Sequence, residues 1–518
     1  MPLRSEIHAR RRREPERGAL HQVLLAHLET FLERARAPDS GHGLPRFVER
    51  ELRRYLECGL LAHGFARVHC SRCMRDELVA FSCKGRGFCP SCCGRRMADT
   101  AAHLVDHVFP HAPVRQWVLS FPFRIRFLLA SSPRMCAAVR GIFTRTLLGW
   151  LEQRALASAA AGGSARPRSG DSEPASRREP QFAARSGAVV FAQRFGSALN
   201  LNLHFHALVL DGAFVSPSER LAPSFQPAAP LSDADVAELV EQLARRITCY
   251  LERQGRLARA HSPADADEPV EHDAALFDQL CAASIQGGAA LGPERSPPLA
   301  RLGQRRPPRP PPLPGSLCAD RDGFSLHAKV LVPAGELERL EHLCRYVTRP
   351  PIATQRLALA PDGRLVYGLK RHWRDGTSAV SFDPLTFIER LAALVPSPRA
   401  HQLTYHGVLA PASAWRDLVV PKRAPASTSP SCGPLAPNSP AAPSTSARSH
   451  SRRSTWAELL RRVFALDVLT CPHCGGPRRL IAQLTDPVVV RKILAHLGHP
   501  TEPPRPAPAR SPELLDFA

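Results

Sequence analysis

Four cysteines set the strongest limit on what this chain can fold into. Cys70 and Cys73 form one C-x2-C pair, and after fifteen intervening residues Cys89 and Cys92 form a second. Each such turn aims two thiolates at one point, and two turns close a tetrahedral site with no position left for a catalytic water. The spacing therefore predicts a structural zinc ribbon on Cys70, Cys73, Cys89 and Cys92. Cys58, His63, His69, Cys83 and Cys93 lie in the same stretch and fit either a second ion or ordinary buried groups. Near the C-terminus Cys471 and Cys474 (CPHC) are followed by His496 and His499. The 21 residues between Cys474 and His496 are long for a two-Cys, two-His finger.

Redox and charge point the same way. The cysteine count is 15, an odd number, and several of them sit in C-x2-C pairs. The basic start, MPLRSEIHARRRREPERG, has no apolar segment behind it, which favours metal over disulfides and predicts a cytoplasmic, reducing setting. No apolar run approaches the ~18 residues of a membrane span. Lys plus Arg (69) minus Asp plus Glu (47) gives +22. Only Lys84, Lys329, Lys370, Lys422 and Lys492 are lysines, so the basicity is arginine, and such a surface seeks polyanions. Arg67, Arg72, Arg75, Lys84, Arg86, Arg95 and Arg96 interleave with the cysteines, which predicts a module that grips a phosphate backbone.

The 51 prolines are too many for one compact body. Three stretches, Ala157–Pro180, Ser262–Ser316 and Lys422–Arg453, read as disordered linkers because low hydrophobicity and abundant proline cannot offset ordering entropy. The resulting organisation is a basic tail over 1–20, a helical and zinc-binding DNA-binding domain over 21–112, and a catalytic domain over 113–421. Insertions interrupt the catalytic domain near 157–180 and 262–316; a linker over 422–453 and a small CPHC domain over 454–518 complete the chain. Within the catalytic block, strands are expected at Trp117–Phe121, Ala188–Phe195, Leu201–Leu210 and Phe324–Val332. Helices are expected at Pro133–Leu151, about 233–254, and Gly335–Val347. Two further helices are expected in the tail, one begun by Thr455 and Glu458 and one by Asp486 and Pro487.

On the strand LNLHFHALVL, His204 and His206 are two apart, so both imidazoles project from one face while Phe205 points the other way. Two neutral imidazoles on a rigid strand are two ready ligands for a divalent cation. Tyr346 lies in EHLCRYVTRP, flanked by Arg345 and Arg349. A phenol among arginines can attack a phosphorus whose charge a cation neutralises, giving a 5'-phosphotyrosine and a free 3'-hydroxyl.

The runs SCKGRGFCPSCCGRRMA (82–98), QRFGSALNLNLHFHALVLDG (193–212), CRYVTRPPIATQRL (344–357) and YHGVLAP (405–411) resemble the transposases of rolling-circle insertion sequences, which belong to the HUH endonucleases. The resemblance implies an α+β fold with an antiparallel-sheet HUH core and an N-terminal zinc-ribbon-like domain. It implies that His204 and His206 hold a catalytic Mg2+ or Mn2+ and that Tyr346 is the nucleophile. The founding type carries two tyrosines four residues apart, and here the earlier position is His342, which places the chain with the single-tyrosine branch. Gln193, Asp211 and His327 are candidates for a third metal ligand. DNA, with single-stranded element ends and target as the working form, is the expected partner. No membrane is expected, and no nucleotide cofactor, since the chain has no G-x4-G-K-[ST] loop. A plasmid replication initiator or relaxase, and an inactive zinc-dependent DNA-binding protein, are the alternative readings.

Overall fold

The structure, a computed structural model, describes residues 14–37, 43–162, 183–216, 222–257, 276–291, 300–302, 316–373, 375–420, 456–464 and 467–510. The N-terminal part comprises α1 (Ala19–Arg36), α2 (Arg46–Leu56), the hairpin β1 (Phe65–Cys70) and β2 (Arg75–Ala80), and α3 (Pro90–His107). There follow β3 (Val114–Ser120), α4 (Phe123–Ser131), α5 (Pro133–Gly162), β4 (Ala183–Arg185), β5 (Gly187–Phe195), β6 (Leu201–Leu210), β7 (Gly212–Ser216), β8 (Ser224–Pro227) and α6 (Asp233–Arg253). Next come α7 (Leu276–Gln286), β9 (Ala300–Leu302), β10 (Cys318–Arg321), β11 (Phe324–His327), β12 (Leu331–Val332) and α8 (Leu337–Val347). The central part ends with β13 (Leu357–Leu359), β14 (Leu365–Gly368), β15 (Ala379–Phe382), α9 (Pro384–Leu394), β16 (Leu403–Gly407) and α10 (Arg416–Val419). The C-terminal part adds α11 (Trp456–Phe464), β17 (Arg478–Leu484) and α12 (Pro487–His496).

The organising element is an antiparallel sheet in the order β10-β11-β3-β6-β5-β16, with β12 also pairing β3. Strand β6 lies at its middle, and its alternation divides two layers. Leu203, Phe205, Ala207 and Val209 pack under α4, α5 and α6. Leu208 and Leu210 face α3 and α8 instead. Phe205 is fully buried, its ring 5.1 Å from that of Phe121 and 6.2 Å from that of Phe143. A buried phenylalanine of this kind contributes about 2–3 kcal/mol over an exposed one, so the β6 register is strongly fixed. The mixed helix and antiparallel-sheet class is thus as the sequence implies.

Local signals set several boundaries. Ser132 accepts the Met135 N–H at 3.3 Å where Pro133 opens α5, and Ser232 with Asp235 forms a capping box on α6. Asp486 accepts the N–H groups of Val488 and Val489 at the start of α12. The expected strand Phe324–Val332 breaks into β11 and β12, both paired with β3.

Two expected linkers carry structure. Helix α5 continues to Gly162, and the stretch 262–316 contains α7, whose Leu276, Leu280 and Cys281 are buried against α9 and α4. The run LFDQLCAASIQ has apolar groups at helical spacing, which the flanking proline-rich composition concealed. Within the same stretch β9 pairs β15. The linker over 422–453, and Thr455 with it, lies outside the described residues. The C-terminal block, expected as a small domain, packs on the N-terminal part: β17 pairs β1 and gives the sheet β17-β1-β2.

Candidate active site and metal centres

His204 and His206 project from β6 on the side of α3 and α8. In register, His204 stands opposite Gln193 on β5 and Ser120 on β3, and His206 opposite Phe191 and Val118. Directly opposed residues of antiparallel strands share a face, so Gln193 and the two imidazoles lie together. The imidazole centroids are 4.8 Å apart. His204 Nδ1 donates to the Asn202 carbonyl at 2.8 Å, which fixes its tautomer and frees Nε2. The Gln116 side-chain amide sits 2.8 Å from His206 Nδ1. Burial pushes the His204 pKa down to about 4, with the nearby Arg349 and Arg126 charges acting in the same sense and the Asn202 contact opposing them. Burial likewise drives His206 well below the ordinary histidine range, helped by His204 and Arg349. Both are therefore neutral near pH 7, the form in which imidazole ligates a metal.

Polar atoms on two neighbouring strands are left without partners. His206 Nε2 and Gln193 Oε1 are both buried with no hydrogen bond, while Gln193 Nε2 donates to the Val347 carbonyl at 3.2 Å. Burying such atoms unpaired costs about 1–3 kcal/mol each. A divalent cation held by His204, His206 and Gln193 would satisfy both, so the donor set fits one. Asp211, by contrast, is committed to Arg115 through two contacts of 2.7 and 2.9 Å. His327 lies on β11, beyond β3 from the pair and half-buried.

Helix α8 buries Leu340, Leu343, Cys344 and Val347 against α3 and the sheet, which leaves Tyr346 on its flank, 39% exposed. The Tyr346 ring is perpendicular to that of His206, with centroids 6.2 Å apart. The Arg349 guanidinium lies 4.6 Å from the Tyr346 ring centroid and Lys370 Nζ lies 5.8 Å from it. Arg349 Nη1 is buried without a partner. A phosphodiester would meet two cations beside the phenol. The other tyrosines are differently placed. Tyr367 is buried and its hydroxyl meets the Ala353 N–H and Arg356. Tyr250 donates to the Met135 sulfur, Tyr55 lies in the core near Phe88, and Tyr405 is on β16 at the sheet edge.

The cysteines assemble differently from the expected ribbon. Cys89 and Cys92 join Cys58 and Cys83, whereas Cys70 and Cys73 join Cys471 and Cys474; within each group all four sulfurs lie within 4.8 Å of one another. The single quartet of Cys70, Cys73, Cys89 and Cys92 is thus not brought together. Each C-x2-C turn does aim its two thiols at one point, but each pair finds its partners elsewhere, because β1 and β2 carry the first turn away from the start of α3. In the first group the Cys58 sulfur is 3.6 Å from Cys89 and 3.8 Å from Cys92, all of it buried against α1 and α2. Hydrogen bonds from the neighbouring thiols, that of Cys58 foremost, draw Cys92 far below the ordinary thiol range, while Cys83 and Cys89 are pushed up by the same crowding. Four sulfurs this close cannot all ionise without a cation, and four thiolates are the ligand set of structural zinc. His69 pairs instead with Asp76 at 2.7 Å, and Cys93 is a buried thiol pushed up to about 12 by burial. His496 and His499 belong to neither group among the described residues.

Sequence reasoning missed Gln116 and Lys370. Gln116 had a signal: it is a polar residue at an alternate position of a buried strand, VRQWVLS, just before the expected strand start at Trp117. Lys370 had none, since it reaches Tyr346 only through the packing of the β14 end against α8.

No helix of the described residues is long and apolar enough to cross a membrane. Neither a curated protein nor a solved structure matches the chain significantly. Two family models do match: a transposase zinc-binding domain of the IS91 type over residues 23–121, and the transposase family Y2_Tnp over residues 187–416. The first match contains Cys58, Cys70, Cys73, Cys83, Cys89 and Cys92, and the second contains Gln193, His204, His206 and Tyr346. Lying in this order along one chain, the two matches make the protein an IS91-type transposase with an N-terminal zinc-binding domain, a DNA-processing enzyme whose partner is DNA.

Proposed function

We propose that this transposase nicks one DNA strand through a covalent 5'-phosphotyrosine on Tyr346, in a HUH-type core, and then transfers that strand in a rolling-circle manner. The observation that carries the reading is the perpendicular contact of Tyr346 with His206, beside a buried, unpartnered His206 Nε2 and Gln193 Oε1. Among the five tyrosines, Tyr346 alone combines exposure with this neighbourhood.

His204, His206 and Gln193 would hold Mg2+ or Mn2+, which supplies Lewis-acid polarisation of the scissile phosphate. Gln116 Nε2 faces His206 Nδ1 at 2.8 Å; His206 binds at Nε2 only if Nδ1 carries the proton, and a Gln116 amide turned to present Oε1 in place of Nε2 would accept from that Nδ1–H. Arg349 and Lys370 pair with the non-bridging phosphate oxygens. The Tyr346 hydroxyl gives up its proton, its oxygen bonds to phosphorus, and the bond to the 3'-oxygen breaks, leaving a 3'-hydroxyl. The phosphotyrosine conserves the bond energy, so joining to a target needs no nucleotide. An exposed tyrosine on a helix flank reaches an unpaired backbone more readily than a duplex, which favours single-stranded DNA. With His342 one turn before Tyr346, a single tyrosine serves both steps or is released by attack of a freed 3'-hydroxyl.

The test incubates full-length protein with labelled single-stranded oligonucleotides from element ends and Mn2+ or Mg2+. A covalent adduct in the wild type that Tyr346→Phe and His204→Ala both abolish is the expected result. An adduct that survives Tyr346→Phe shows that the nucleophile is another residue. Zinc-dependent DNA binding with no adduct under any condition favours a binding protein.

A further inference from the structure

We propose that Cys70, Cys73, Cys471 and Cys474 form a second zinc site, built from the two ends of the chain, whose ion clasps the C-terminal segment onto the N-terminal module. The cysteines of the C-terminal turn lie far outside the zinc-binding match, which ends at residue 121. The sulfurs of Cys70 and Cys474 are 3.5 Å apart, and those of Cys73 and Cys471 3.6 Å, across some 400 residues of sequence. Two C-x2-C turns facing each other supply four thiolates, the tetrahedral set that selects zinc.

The surrounding contacts show what the clasp would hold. The hairpin of β1 and β2 is marginal alone, as isolated two-stranded ribbons are. Strand β17 makes it a three-stranded sheet, pairing Phe65 with Leu484 and Cys70 with Arg478. The small core beneath is shared, with Leu61 and Phe65 from the N-terminal part and Val490 and Leu494 from α12. Arg72 donates to the Cys474 carbonyl at 3.1 Å, and Arg478 pairs with Glu77. Upstream of the clasp, Arg462 on α11 bridges Asp106 on α3 at 2.6 Å and Glu341 on α8 at 2.7 Å. Glu341 precedes Tyr346 on the same helix, so the clasped segment runs from the zinc-binding module to the tyrosine helix. The two metal centres differ in access: all four sulfur-bearing residues of the first are buried, while Cys73 and Cys474 of the second are half-buried. The second ion is therefore the one a chelator reaches first.

The second zinc site does not depend on the phosphotyrosine chemistry, and metal content and local structure report on it directly. Full-length wild type is expected to carry two zinc ions per chain by elemental analysis, and Cys471→Ser/Cys474→Ser one. In the wild type, stepwise chelation should release one equivalent first, with alkylation of Cys70, Cys73, Cys471 and Cys474 but not of Cys58, Cys83, Cys89 or Cys92. Deuterium uptake over 65–70 and 478–484 should rise in that same step. One zinc per wild-type chain, two retained in the double variant, or alkylation of Cys471 and Cys474 while both ions stay bound would each overturn the proposal. The wild-type chelation decides the matter should the variant fail to fold.

Discussion

Replacing Gln116 with leucine probes whether the site is built to present His206 to a cation. Gln116 and His206 are both 4% exposed, and the amide lies 2.8 Å from Nδ1. Leucine keeps the volume and removes the one hydrogen-bond partner of that ring nitrogen among the described residues. Leaving a buried imidazole N–H unpaired costs about 1–3 kcal/mol. Because a metal on Nε2 demands that proton on Nδ1, the cost falls chiefly on the metal-bound state. Loss of such an outer-sphere partner weakens metal affinity about 10- to 100-fold, or roughly 1.4–2.7 kcal/mol. The assay is the Mn2+ dependence of covalent adduct formation on a single-stranded element end. The expected outcome is a half-saturating Mn2+ concentration raised about 10- to 100-fold, with the rate at saturating metal changed less than about threefold. Gln116→Glu, whose carboxylate accepts from Nδ1–H, should restore near wild-type affinity. An unchanged half-saturation in the leucine variant refutes the reasoning.

Two further outcomes test the scaffold. Arg115→Leu strands Asp211, a mostly buried carboxylate held by two contacts, and should destabilise the fold by about 3 kcal/mol in urea denaturation, with part recovered in Arg115→Leu/Asp211→Leu. Burial, reinforced by Arg140 and Arg145, holds His406 down to about 4 against its ordinary 6.5. The folded state thus binds fewer protons than the unfolded state between these values. Its contribution is intact above about pH 6.5 and is lost as pH falls towards 4, so His406→Gln should flatten the stability profile between pH 7 and 5.

Short-range geometry is legible from the residues alone. A strand has period two, so His204 and His206 share a face and Phe205 takes the other, wherever that strand sits. A helix has period 3.6, so burying Leu340, Leu343 and Val347 leaves Tyr346 on a flank. A C-x2-C turn aims two thiols at one point. The start of α12 at Asp486 was legible for the same reason, since that cap acts within three residues. The tertiary structure decided which of these local devices meet. The pairing of Cys70 and Cys73 with a turn 400 residues away, rather than with Cys89 and Cys92, follows from β17 adding to the open edge of β1. Any strand of the chain offers the same backbone groups, so nothing local marks that choice. Helix α7 was hidden because a few apolar residues in a proline-rich stretch become a helix only against a surface that buries them. Gln116 and Lys370 reach His206 and Tyr346 only because β3 lies beside β6 and β14 ends near α8. Such neighbours are separated by many residues in sequence, and only the packing of the sheet brings them within a hydrogen bond or a charge's reach.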